Sequence, residues 1–256
     1  MNMLVLRALI AAFVAGGILA PPAAGQTPAP SEPPRPTPVR SVLALAALPS
    51  VVDAPLHMKL LRVSVPVGQS TSYLGANGFI FGLSGTLTAA TGDGSATLRT
   101  GEAVFVGAGT RATLRAGGGE PGVFLHFLLL PARDLDGAVE GAPATVAELF
   151  RTTEPIPGLK PGPYEFTLTR VTFPLRMPSN PPHYRSGAAL YYILSGTGSN
   201  TLEGRTETRP TGSRVYEPYG LVHQWGNPGD APLVILQANI SPEGVPVVIM
   251  GAPPAR

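Results

Sequence analysis

The chain repeats itself once, and that repeat limits what it can fold into. Leu83-Ser84-Gly85-Thr86 returns 111 residues later as Leu194-Ser195-Gly196-Thr197. At the same spacing Gly101 falls on Gly212, Gly109 on Gly220, Pro121 on Pro232 and Pro131 on Pro242. At a spacing of 108, Leu60–Val67 (LLRVSVPV) overlays Leu168–Leu175 (LTRVTFPL), and the three-residue difference is absorbed around Ser179–Pro182. One repeat of this length means two domain-sized units and not a solenoid of short repeats. The chain is long enough for each unit, of roughly 100 residues, to bury its own core.

Inside each unit the pattern is that of strands. Short runs rich in Val, Phe, Thr and Tyr recur between glycine-rich turns: 61–67, 78–83, 103–106, 123–130, 166–175, 190–194 and 233–240. Runs of this length, punctuated by Gly and Pro, predict a β-barrel or sandwich. Between the units, Thr145 with Glu148 three residues later fits a capping box and predicts a short helix to about Arg151. The four prolines of 154–164 (EPIPGLKPGPY) then mark the crossover, with the boundary near residue 150. The apolar 245–250 predicts one last strand, able to pair with the other unit.

The tail segment Gly212–Asn227 (GSRVYEPYGLVHQWGN) has a fixed pattern: Gly, five residues, Pro, one, Gly, two, His, three, Asn. It resembles the second signature motif of the cupin superfamily at every fixed position. Upstream, PPHYRSGAALYYILSG resembles the first cupin motif in degenerate form. Anchored on Gly196, its two histidine positions fall on His183 and Arg185, and its glutamate position falls on Ala189. The resemblance covers about residues 55–250. It implies an all-β chain of two cupin-type double-stranded β-helix (jelly-roll) barrels in tandem, with a short helix in the connection. In the first copy the ligand positions become Ser72, Leu74, Gly78 and Ala112, none of which binds a transition metal, so that barrel reads as structural, or at most as a binding site of another kind.

The domain plan that follows is a leader at 1–25, a Pro-rich linker at 26–40, an N-terminal barrel at 41–150 and a C-terminal barrel at 151–256. Arg7 and the apolar 8–20 (ALIAAFVAGGILA), followed by Ala23-Ala24-Gly25, read as a secretory signal with cleavage near Gln26. This predicts a periplasmic or secreted protein with no membrane span after cleavage; the alternative is a retained anchor. Six prolines in 26–40 predict an extended tether. The chain has no cysteine, which excludes disulfides, thiolate sites and lipid attachment through cysteine. A net charge of only +2, with no basic run, argues against nucleic acid. A homo-oligomer is left open.

Side chains alternate across a strand, so the motif positions place His183, Arg185, Tyr191, His223 and Trp225 inside the C-terminal barrel. Gln237 and Asn239, polar in an apolar run, join them. His126 aligns with Gln237 and occupies the other interior; His57 reads as a loop residue; Pro218 and Asn227 read as turn formers. The set His183, Arg185, Tyr191, His223, Trp225 and Gln237 makes a cavity with aromatic walls and few polar groups, as small-ligand sites have. Cupins commonly hold Mn, Fe, Ni or Zn on three histidines and a glutamate. Here only His183 and His223 remain as metal ligands. A guanidinium about 5 Å from a dication costs roughly 6 kcal/mol at an effective dielectric near 20. The expectation is therefore no cofactor, or a weakly bound divalent metal. An arginine beside two imidazoles, with no carboxylate in view, points to a small anionic ligand gripped by Arg185. The alternative is a metal-dependent enzyme of dioxygenase or isomerase type on an incomplete site.

Overall fold

The computed structural model describes residues 36–49, 55–137 and 139–253. The leader and most of the Pro-rich linker lie outside the described residues. Strands dominate, and among the described residues the only helical turn is a three-residue 3-10 turn, Ala132–Asp134.

The first strand, β1, is Val39–Leu48. The N-terminal half follows with β2 (Leu56–Val65), β3 (Ser70–Leu74), β4 (Asn77–Ser84), β5 (Thr86–Thr91), β6 (Gly94–Leu98), β7 (Ala103–Val106), β8 (Arg111–Gly117) and β9 (Gly122–Pro131). After β10 (Thr145–Arg151) the C-terminal half runs β11 (Tyr164–Phe173), β12 (His183–Arg185), β13 (Ala188–Ser195), β14 (Thr197–Leu202), β15 (Arg205–Pro210), β16 (Arg214–Glu217), β17 (His223–Gly226), β18 (Leu233–Pro242) and β19 (Val248–Met250). The N-terminal half forms sheets in the order β10-β2-β9-β4-β7 and β3-β8-β5-β6. The C-terminal half repeats this order as β1-β11-β18-β13-β16 and β12-β17-β14-β15, with β19 added as one more strand beside β12. The repeat seen in the sequence is thus a repeat of strand order.

Gly85 and Gly196 show why the repeat is sharpest at its turns. Both have positive φ, 70° and 84°. A Cβ at Gly85 would lie 2.5 Å from the Pro121 carbonyl oxygen, and one at Gly196 would lie 2.8 Å from that of Pro232. The two prolines are themselves repeat partners. Only glycine takes this backbone freely and lets the neighbouring chain come so close.

Three cores follow from alternation. On β13, Ala189, Tyr191 and Ile193 face the C-terminal barrel's interior with Val171, Phe173, Trp225 and Ile235. Ala188 and Leu190 face the other way, into a core shared with Phe79, Phe81, Leu125 and Phe127 of the N-terminal half. Tyr192 also leaves its own barrel, and packs against this shared core. The central strands are buried on both faces, so they read as continuous apolar runs.

Four expectations are corrected. Thr145–Arg151 is not a helix: it pairs antiparallel with β2 from Thr145↔Ser64 to Arg151↔Lys59. A seven-residue helix has little stability of its own, whereas pairing satisfies the backbone groups of both strands. The segment from Ser41 does not begin the N-terminal barrel; β1 crosses to the C-terminal sheet and pairs with β11, from Val39↔Thr172 to Leu48↔Tyr164. It covers an edge that would otherwise offer unpaired backbone and buries Ala46 and Leu48 in the shared core. The last strand stays in its own half, where Val248–Met250 pairs with His183–Arg185. His57 is no loop residue. It lies buried on β2, with Nδ1 3.1 Å from the Thr152 hydroxyl.

Candidate ligand pocket

The six residues singled out by sequence converge inside the C-terminal barrel, and all are buried. β12 and β17 carry the two histidines opposite each other, His183↔His223. Their ring centroids are 4.3 Å apart. Each Nδ1 sits 2.9 Å from a backbone carbonyl, Pro181 for His183 and Leu221 for His223. A carbonyl only accepts, so each Nδ1 carries its proton and each Nε2 is turned elsewhere. Burial pulls His183 down to about 4, helped by the charges of His223 and Arg185. It is neutral at pH 7.

The carboxylate that the sequence reading found missing is present in another place. Glu217, at the end of β16, pairs directly across the sheet with Ala189, the position emptied of its glutamate. It is fully buried, and so is Arg185 but for 2% of its side chain. Glu217 accepts from Trp225 Nε1 at 2.8 Å and from Arg185 Nε at 3.4 Å. Its Oε2 also lies 2.8 Å from His223 Nε2. That contact has ion-pair distance but not the alignment of a hydrogen bond, since Nε2 gains no such partner. Burial pushes the Glu217 carboxyl up, but His223 and Arg185 outweigh it and hold the group below its usual range. Arg185 also donates through Nη2 to the Tyr191 hydroxyl and, at 3.5 Å, to Gln237 Oε1. Burial opposes its charge, while the Glu217 carboxylate and the hydrogen bond to the Tyr191 hydroxyl favour it more, so the guanidinium stays protonated. Tyr191 is pushed well above its usual value, by burial first, and is neutral.

The polar groups are therefore largely spent on one another. Tyr191 and Trp225 pack at a tilt of 37°, ring centroids 5.4 Å apart, and fill the barrel. The space left, lined by His183, Arg185, Tyr191, Trp225 and Gln237 together with Arg40 and Asn180, is only about 10 Å³. That is the room of about one water. His223 does not line it. Arg40 enters because β1 crosses to this barrel. One guanidinium nitrogen, Arg185 Nη1, is buried without a partner. Asn239, expected inside, is fully buried and donates to Ser241 Oγ at 2.7 Å. Asn227 holds its turn by donating to the Phe173, Pro174 and Ala231 carbonyls.

In the N-terminal barrel the corresponding positions hold no such constellation. His126 occupies the interior as expected, and its Nδ1 pairs with Glu140, which the sequence reading did not single out; both are fully buried. A Cβ on Gly78 would lie 2.5 Å from His126 Nε2, so the glycine makes room for the ring.

Residues 169–239 match the family model described as cupin domain. That match makes 169–239, within the C-terminal half, a cupin domain. No curated protein matches the sequence significantly. Among solved structures, the chain is similar to AerE from Microcystis aeruginosa, at 18% identity over 81% of this chain and 96% of that one, with a TM-score of 0.52. It is also similar to the salicylate 1,2-dioxygenase from Pseudaminobacter salicylatoxidans, at 9% identity over 72% and 70%, with a TM-score of 0.50. At these identities the likeness speaks for the fold and not for the reaction.

Proposed function

We propose that the protein is an exported cupin that works without a metal and binds a small anion at Arg185. The observation that carries this reading is Nη1 of Arg185, buried without a partner beside a void that Arg40 and His183 also line. Arg185 and Glu217 cancel in charge and His183 is neutral. Arg40 makes no ion pair with a described residue, so the void keeps a positive balance. A carboxylate head suits a guanidinium that still has a donor to offer. Glu217 narrows the expectation from sequence: it rules against a broad anion cradle and leaves one donor edge. The void admits only a head group, and only when Arg40, on the exposed start of β1, turns outward. The anion's body then lies outside the barrel and not between Tyr191 and Trp225.

Thermal shift and calorimetry with formate, acetate and phosphate test the reading. At least one anion raises Tm in the wild type. Arg40→Ala, on an exposed residue, weakens binding without loss of fold, and Ser72→Ala in the other barrel changes nothing. No stabilisation by any anion, or unchanged affinity in Arg40→Ala, refutes it.

One observation favours a metal. Both histidines donate Nδ1–H to carbonyls and turn Nε2 away from them, as metal-ligating histidines do. The remaining donor set does not fit. His223 Nε2 already faces Glu217 Oε2 at 2.8 Å, Glu217 is also bonded to Trp225 and Arg185, and a fixed positive charge stands where the second motif histidine would be. No group of three or more His, Cys, Asp or Glu side chains suited to a metal occurs among the described residues.

A further inference from the structure

A second cavity, of about 590 Å³, lies beside the C-terminal barrel, and no cupin motif contributes a ligand position to it. Its volume falls in the range of small-molecule sites. The crossover 158–164 forms one wall. Prolines 161 and 163 have no N–H to offer a sheet, and the Lys160 backbone N–H is tied instead to the Tyr164 hydroxyl at 2.9 Å. This holds the crossover as a loop standing off the start of β11. The connection from β18 to β19 forms the opposite wall and is fastened to the first by Glu243 N–H to the Pro163 carbonyl, 3.1 Å. Tyr219 and Ile249 close the sides, and Ser186 stands at the turn between β12 and β13. The Ser186 hydroxyl is buried with no partner in the protein.

Two opposite charges share this cavity, Lys160 and Glu243. Neither forms an ion pair with the other or with another described residue, unlike the surface pairs Arg151–Asp136, Arg176–Asp230 and Arg209–Glu207. Apart from Ser186, the rest of the wall is tyrosine, proline, glycine, valine and isoleucine. A cation and an anion set apart in an apolar cleft match a ligand that carries both charges and a hydrocarbon body. We infer that this cleft binds a small apolar zwitterion, a free amino acid or short peptide with a hydrophobic side chain. Lys160 takes the carboxylate, Glu243 takes the ammonium group, and Tyr219 and the prolines take the side chain. The site is separate from Arg185 and does not depend on anion binding there.

Calorimetry on the full mature chain tests this with L-leucine, L-phenylalanine and Leu-Leu as probes. The controls are N-acetyl-phenylalanine, which lacks the ammonium group, and phenylalanine methyl ester, which lacks the carboxylate. At least one zwitterion binds and each control binds tenfold or more weakly. Glu243→Gln loses tenfold or more for the zwitterion but leaves the acetylated control unchanged; Lys160→Ala does the same with the ester. Both side chains are exposed, so melting curves of the variants stay at the wild-type position. Saturating acetate leaves zwitterion binding unchanged, which separates this site from the one at Arg185. If no zwitterion binds, if the controls bind as well as the parents, or if both variants keep full affinity, the inference is wrong.

Discussion

Replacing Glu217 by glutamine gives the sharpest test of the buried network. The side chain keeps its shape and still accepts from Trp225 Nε1, 2.8 Å away in the wild type. It no longer neutralises Arg185, whose side chain is 2% exposed. Breaking a buried ion pair by removing one partner typically costs about 3–5 kcal/mol, because the other charge is left uncompensated. Tyr191 and Gln237 still accept from the guanidinium, so the expected loss for Glu217→Gln is at the low end, about 3 kcal/mol. Replacing both partners with apolar residues of similar size is often close to neutral. Arg185→Met with Glu217→Leu should therefore recover most of the loss, a coupling of about 2–3 kcal/mol of the kind contacting residues show. Urea unfolding followed by tryptophan fluorescence reads this directly, since Trp225 is the single tryptophan and touches Glu217. A loss below about 1 kcal/mol in the single variant, or a double variant as unstable as the sum of its parts, would refute a charged Arg185–Glu217 pair.

Three more outcomes follow. His183 is depressed from 6.5 to about 4 by burial; the unfolded chain thus binds the extra proton first, and stability is fully present above pH 6.5 and falls as pH drops toward 4, by up to about 3 kcal/mol. His183→Gln should flatten that part of a Tm-against-pH curve, and an unchanged slope counts against a buried neutral ring. Gly78→Ala pushes a methyl to 2.5 Å from His126 Nε2, and overpacking of this kind costs about 1–3 kcal/mol; the converse Ala189→Gly in the other copy should cost no more than about 1 kcal/mol, and thermal melts compare the two. Protein recovered from a secreting host should begin near Gln26 by mass spectrometry, and an intact Met1 contradicts the export reading.

Most of the barrel was legible because its turns are. The glycines at 85 and 196, and the prolines they approach, mark the same corner twice. The interior faces of β12, β13 and β17 also followed from alternation once the motifs fixed a residue on each, and that of β18 from Gln237 and Asn239, polar residues in an apolar run. What escaped were contacts between strands that the sequence does not label as neighbours. Glu217 lies in the variable stretch before Pro218. Its signal was indirect: Ala189 had lost a carboxylate, and alternation from Val215 puts Glu217 on the interior face. Arg40 was out of reach because β1 leaves its own half to complete the other sheet. Glu140 reaches the first barrel from the connection after β9, where pattern gives no face. The helix at 145–151 failed because a capping box states a local preference, while the free edge of β2 decides the outcome.

The central claim is that an internal ion pair has replaced the metal of a cupin barrel. Elemental analysis of protein purified from metal-replete medium without a metal-affinity tag, beside a chelator-treated control, tests it most directly. The account predicts far less than one Mn, Fe, Ni or Zn per chain, with the melting temperature unchanged by chelation. One tightly held equivalent of any of them, with a melting temperature that falls on its removal, would contradict it.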